Sequence, residues 1–344
     1  VRSMRRRPPR PGPAILLAAL ACPLLACSRR EAPADPQPSP PVASAVTRVP
    51  EPAPSAPVAA SPRDAATVVP LDLSADLAAR TRDAKTRFGP RTPTRVLGDV
   101  FLLVGASPST PLFDPAAALI ERALPPLFDG RFTRHPDAAV TVLFFSSQPA
   151  FVAYARAHYG DLSDDDLGGY QRGPREIAVD GSRGASYLPS LTHEIVHPIV
   201  QADFPGAPLW FDEAIASLFE APLFTKDGGI HGERRNWRHD YLLAALATPA
   251  ERDTVRLDAL VGMAGLDFKA WSHETRTIDS HVNAVHYAMA RAVAAWLDDQ
   301  GKLWPFYREW RDGFANDPTG GKSFATVMGM TPREANAAWL KWVR

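Results

Sequence analysis

The sequence predicts an α+β protein: an N-terminal part with a mixed sheet and helices, followed by a mainly helical C-terminal part. Three observations carry this. Residues 96–104 (VLGDVFLLV) and 139–145 (AVTVLFF) are short apolar runs rich in branched and aromatic side chains, as buried strands require. Residues 115–128 and 148–158 bring apolar side chains round at helical spacing, the first with Asp114 placed to cap it and the second stopped by Tyr159 and Gly160. Beyond about Leu188 the helical period dominates, with long stretches at 240–247, 283–299, 303–312 and 332–343.

The globular composition begins near Asp72. Ahead of it, Arg5, Arg6, Arg7 and Arg10 form a basic start, and residues 14–26 are apolar but too few to span a bilayer as a helix. Residues 1–27 therefore read as an export signal. Its end, Leu24-Leu25-Ala26-Cys27, resembles the lipobox of bacterial lipoproteins, which implies a lipid on Cys27 and a protein anchored in the bacterial cell envelope, at the outer membrane, facing periplasm or exterior. Cys22 is a second candidate. The chain has two cysteines and both lie here, so the exported part is expected to fold without a disulfide. Residues 28–71 are dominated by Pro, Ala and Ser, with fifteen of the 35 prolines placed by Pro62, the composition of an extended tether that cannot bury a core. Residues 72–344 form the folded domain, with an α+β subdomain at about 96–202 and a helical one at 203–344.

The formal charge is zero, but the signal holds five arginines and no acid, which leaves 33 basic against 38 acidic residues. A mildly acidic mature chain argues against nucleic acid as a partner. Within the domain, residues 161–173 form a Gly- and Asp-rich loop. Residues 175–180 (REIAVD) then alternate, with Ile177 and Val179 facing the core and Glu176 and Ala178 outward, as in an edge strand able to pair with an extended peptide. Four late tryptophans, Trp304, Trp310, Trp339 and Trp342, are explained by packing.

The chemistry concentrates in HEIVH, residues 193–197. A helix turns about 100° per residue, so positions four apart lie on one face. His193 and His197 can thus offer two imidazole nitrogens to one ion, while Glu194 on the neighbouring face can address water there. Pro198 follows at once and is expected to bend or end the helix just past the metal. A hydrolytic zinc site takes three protein ligands and keeps one position open. Glu213 is the candidate third ligand, carried on a second amphipathic helix with Leu209, Phe211, Ile215, Leu218 and Phe219 on its apolar face, after a turn at 203–207 (DFPGA).

HEIVH followed by PLWFDEAIASLFE resembles the HExxH and WxxEGxAxxxE pattern of gluzincin zinc metallopeptidases, in particular the peptidase-MA-like group of bacterial envelopes. The resemblance runs from about Val96 to the C-terminus and implies a zincin-like metalloprotease fold. It implies one zinc ion on His193, His197 and Glu213, with Glu194 as general base. It also implies a donor to the oxyanion from the helix opened by HVNAVHY, Tyr287 being favoured and His286 the alternative. Ala214 stands where many members have glycine, and Ser217 where some carry the acid that orients a ligand histidine; Asp212 and Glu220 are the other candidates for that support. The glycine-rich motif of gluzincin aminopeptidases is absent, GGIHG at 228–232 being a poor match. The implied function is zinc-dependent hydrolysis of peptides or proteins in the envelope; the alternative is a catalytically idle binding module on the same fold.

Overall fold

The computed structural model describes residues 71–344, apart from 108, 160–167, 174, 186–187 and 276. The expected signal, lipid site and tether lie outside the described residues. Helix α1 (Ser74–Phe88) leads into strands β1 (Thr94–Leu97) and β2 (Phe101–Gly105), then α2 (Phe113–Phe128), β3 (Val140–Phe145), α3 (Gln148–Tyr159), β4 (Gly168–Gln171) and β5 (Glu176–Asp180). The helical part follows: α4 (Pro189–Asp203), α5 (Leu209–Leu218), hairpin β6 (Pro222–Phe224) and β7 (Ile230–Gly232), and α6 (Arg238–Ala247). Three single turns come next, α7 (Pro249–Arg252), α8 (Leu257–Leu260) and α9 (Gly265–Phe268), then hairpin β8 (Trp271–Ser272) and β9 (Thr277–Ile278). The chain closes with α10 (Ser280–Asp299), α11 (Leu303–Gly313), α12 (Gly321–Met328) and α13 (Pro332–Val343).

The five-stranded mixed sheet has the order β1-β2-β3-β5-β4. Strands β2, β3 and β5 run parallel, with Leu103 beside Val142 and Val142 beside Ile177, and antiparallel β1 and β4 form the two edges. Every residue of the three central strands is buried. That is why β2 and β3 read as continuous apolar runs, as strands covered on both faces do.

Several expectations are corrected. Residues 96–104 are not one strand: Gly98 and Asp99 take left-handed φ of 55° and 54°, turning the chain back so that Leu97 pairs with Phe101. A Cβ at Gly98 would stand 2.7 Å from Leu124 Cδ1, so the turn also needs glycine to sit against α2. Asp114 does not cap α2; it lies in the first turn and pairs with Arg95 at 2.7 Å. The segment read as a loop at 161–173 contains β4, and that strand, not β5, is the edge. Glu176 and Ala178 are buried with Ile177 and Val179, the Glu176 carboxylate being held by Arg87 at 3.1 Å and by the Tyr154 and Tyr159 hydroxyls.

Pro198 does not end its helix either. Helix α4 continues through it to Asp203, since Ile199 and Val200 are fully buried and their packing outweighs one lost hydrogen bond. Helix α5 is buried on all sides from Trp210 to Leu218, not on one stripe, because Trp210 and Phe211 pack against Phe306, Tyr307 and Trp310 of α11. The late helices stand as expected. Asp279 caps α10 by accepting the His281 and Val282 amides, and Thr331 with Glu334 forms a capping box on α13. Trp310 and Trp339 are fully buried, in keeping with packing.

Candidate metal centre

Helix α4 sets His193 and His197 one turn apart on one face, both buried, with their Nε2 atoms 3.2 Å from each other. Helix α5 packs on α4 and brings Glu213 to the same point. Its Oε2 lies 3.4 Å from His193 Nε2 and 3.9 Å from His197 Nε2. Among the described residues, Oε2 is buried without a hydrogen-bond partner. A carboxylate oxygen so placed, facing two imidazole nitrogens, is a costly arrangement unless a cation completes it. Four ligands held tetrahedrally at about 2.0–2.1 Å stand about 3.3 Å from one another; two of the separations found here, 3.2 and 3.4 Å, match that value and the third, 3.9 Å, is longer. His193, His197 and Glu213 thus form a buried group able to hold a metal ion.

The ring of His197 is held from behind. Asp212, next to Glu213, puts Oδ1 3.0 Å from His197 Nδ1, and Arg172, just past β4, reaches Asp212 Oδ2 at 3.3 Å. Nδ1 therefore donates its proton to Asp212 and Nε2 is turned to the donor cluster. Burial alone would lower the pKa of His197, but the charge and hydrogen bond of Asp212, with Glu213 and Glu194 nearby, outweigh it and push the ring up to about 10. A metal must displace that proton. Of the two acids considered for support, Asp212 fills the role; Glu220 instead grips Arg238 at 2.7 and 3.1 Å. Ser217 Oγ and His193 Nδ1 are buried with no hydrogen-bond partner among the described residues.

The Glu213 carboxyl is held well below the usual range. Burial opposes ionisation, but the close approach of His193 and the charges of His197, His193 and Lys269 prevail. Its other oxygen, Oε1, accepts the Tyr287 hydroxyl at 2.8 Å. Tyr287, on α10, is thus brought to the site, with its hydrogen committed to Glu213. Burial first, and Glu213 second, push its pKa well above the usual phenol value, so it stays protonated and able to donate. His286 turns its Nδ1 to the Phe268 carbonyl at 3.0 Å.

Glu194 is half-buried beside the histidines, and among the described residues no hydrogen bond engages its carboxylate. Burial raises its pKa above the ordinary glutamate value; Glu213 and Glu220 add to this, while His193 and His197 oppose it. Two residues that sequence reasoning missed join the cluster. Arg172 backs Asp212, and Lys269 hydrogen-bonds Tyr287 and stands 3.6 Å from Glu213 Oε1. Neither belongs to a periodic or spaced motif, so nothing along the chain marked them. Comparison with protein-family models and with curated proteins gives no match to this chain.

Proposed function

We propose that this chain is a zinc-dependent peptidase of the gluzincin kind, acting on peptides or proteins of the bacterial cell envelope, where a lipid on Cys27 would anchor it. The observation that carries the reading is the convergence of His193 Nε2, His197 Nε2 and Glu213 Oε2, with the carboxylate of Glu194 left unengaged beside them. Two imidazole nitrogens and one carboxylate oxygen are a donor set that zinc takes in hydrolytic sites. The buried, unpartnered Glu213 Oε2 fits that group as well.

Bound there, zinc supplies Lewis acidity, polarising a peptide carbonyl and lowering the pKa of water to near ~7. The rest falls to the chain's own residues. Asp212 holds His197 so that Nε2 faces inward. Glu194 takes a proton from water and delivers it to the leaving amine; its raised pKa brings it nearer to neutral, where a general base is most effective. Tyr287 would donate to the developing oxyanion after its hydroxyl leaves Glu213 Oε1. Among the described residues β4 is an edge strand of the sheet, so an extended peptide would add to it, a role expected of β5.

The test is hydrolysis of a mixed peptide library by the full chain and by Glu194→Gln. Wild type should carry one zinc per chain and cleave, and a chelator should abolish cleavage. Glu194→Gln should keep its zinc and lose about 10²–10⁴-fold in rate. Stoichiometric zinc with no cleavage by wild type would leave a binding module in place of an enzyme.

A further inference from the structure

Behind Tyr287 lies Lys269, in the link between α9 and β8. Its ammonium hydrogen-bonds the Tyr287 oxygen and stands 3.6 Å from Glu213 Oε1, beyond hydrogen-bond distance. An ammonium donates and never accepts. The phenol oxygen therefore accepts from Lys269 and has its own hydrogen left to give, to Glu213 Oε1 at 2.8 Å. Donation runs one way, from Lys269 through Tyr287 to Glu213. With Oε1 taken, Oε2 is the oxygen turned to the two histidines.

The link is built to keep Lys269 in place. The Phe268 carbonyl accepts from His286 Nδ1 at 3.0 Å and the Ala270 carbonyl from the Asp279 amide at 3.1 Å, so both flanks of Lys269 are tied to α10 or its cap. The Phe268 ring is fully buried, 5.0 Å from that of Tyr287. Ala270 sits at a left-handed φ of 54°, a conformation that a residue with a Cβ rarely adopts. Such strain persists where the surroundings over-determine the backbone.

We propose that Lys269 is a positioning residue of the metal centre, acting through Tyr287 to fix the direction of its hydroxyl and so to present Glu213 as a ligand through Oε2 alone. The inference rests on the metal-centre reading above. Two effects of opposite sign separate it from its rival. A lysine acting on the ion directly does so by like charge, so its removal tightens binding. A lysine acting through Tyr287 weakens binding when removed, and only while the hydroxyl is present.

The experiment measures zinc dissociation constants by chelator competition on the full chain, with zinc alone as the probe. The variants are Lys269→Met, Lys269→Arg, Tyr287→Phe and the double variant Lys269→Met with Tyr287→Phe. Lys269→Met should weaken zinc about tenfold, within the range that loss of an outer partner costs. Lys269→Arg, still a charged donor, should recover most of that loss. The double variant should bind no more weakly than Tyr287→Phe, and the metal-free thermal midpoint of Lys269→Met should match wild type. An unchanged or tighter constant for Lys269→Met, an effect that persists without the hydroxyl, or a lowered midpoint that accounts for the loss would each overturn the positioning role. If wild type binds one zinc, such results overturn that role alone. If wild type binds none, the metal centre falls with it.

Discussion

His197 meets Asp212 through Nδ1 at 3.0 Å, so replacing that carboxylate removes the acceptor that fixes the ring's tautomer. Asp212→Ala should weaken zinc by about 10–100-fold, read by competition with a chromophoric chelator; an unchanged constant would mean that the ring needs no such support. In the sequence Asp212 is a candidate for that support together with Glu220, since Ser217 stands where the resemblance would place an acid. His193, His197 and Glu213 were legible for a related reason: four residues make one turn, and a turn-forming DFPGA lets the next helix fold back. Lys269 was not legible. It lies far along the chain from Glu213, at the end of a single-turn helix, and only the packing of α9 against α5 and α10 brings them together.

At the scale of elements, the two helices of the site are held by different means. Helix α4 carries a proline directly after His197, yet the bond that spaces the histidines, from the His197 amide to the His193 carbonyl, does not involve it. Pro198→Ala should therefore leave zinc affinity essentially unchanged, since the helix already runs to Asp203. A loss of about tenfold, the size expected of an outer partner, would give the proline a role at the site after all. Helix α5 is positioned by aromatic packing, with Phe211 between 4.9 and 6.5 Å from the rings of Trp210, Phe306, Tyr307, Trp310 and Phe204. Phe211→Ala should cost about 3–5 kcal/mol in urea unfolding, the range for truncating a buried aromatic. The sheet was less readable than the helices. Gly168 and Gly169 are poor strand formers, so β4 looked like loop and its neighbour was mistaken for the edge. The hairpin of β1 and β2 was hidden because its three-residue turn still reads as part of an apolar run.

Across the whole molecule, the α+β part and the helical part are tied at Asp203, the last residue of α4. Fully buried, it accepts the Thr133 amide and hydroxyl at 2.9 and 2.8 Å, the Arg134 amide at 2.7 Å and Arg311 of α11 at 2.8 Å. Burial would raise its pKa, but the bonds from Thr133 and Arg311 outweigh it and hold the carboxyl below its usual value. A depressed native pKa stabilises the fold fully above the unfolded value of about 3.9, and the contribution fades as pH falls through the native value. Asp203→Asn should therefore cost about 3–5 kcal/mol at pH 7, as breaking a buried pair does. The gap to wild type should narrow as urea unfolding is repeated toward pH 3, and a gap independent of pH would contradict this assignment. The order of parts, strands first and helices after, was readable from the period of apolar residues. The tie between them was not, since Asp203 sat in a stretch that read only as a turn. The central claim, that His193, His197 and Glu213 hold one catalytic zinc, is tested most directly by zinc K-edge X-ray absorption on the full chain with one equivalent of metal. The predicted result is a four-coordinate nitrogen and oxygen shell at about 2.0–2.1 Å with two imidazoles, reduced to one imidazole in His197→Ala. An all-oxygen shell, or zinc that dialyses away from wild type, would contradict it.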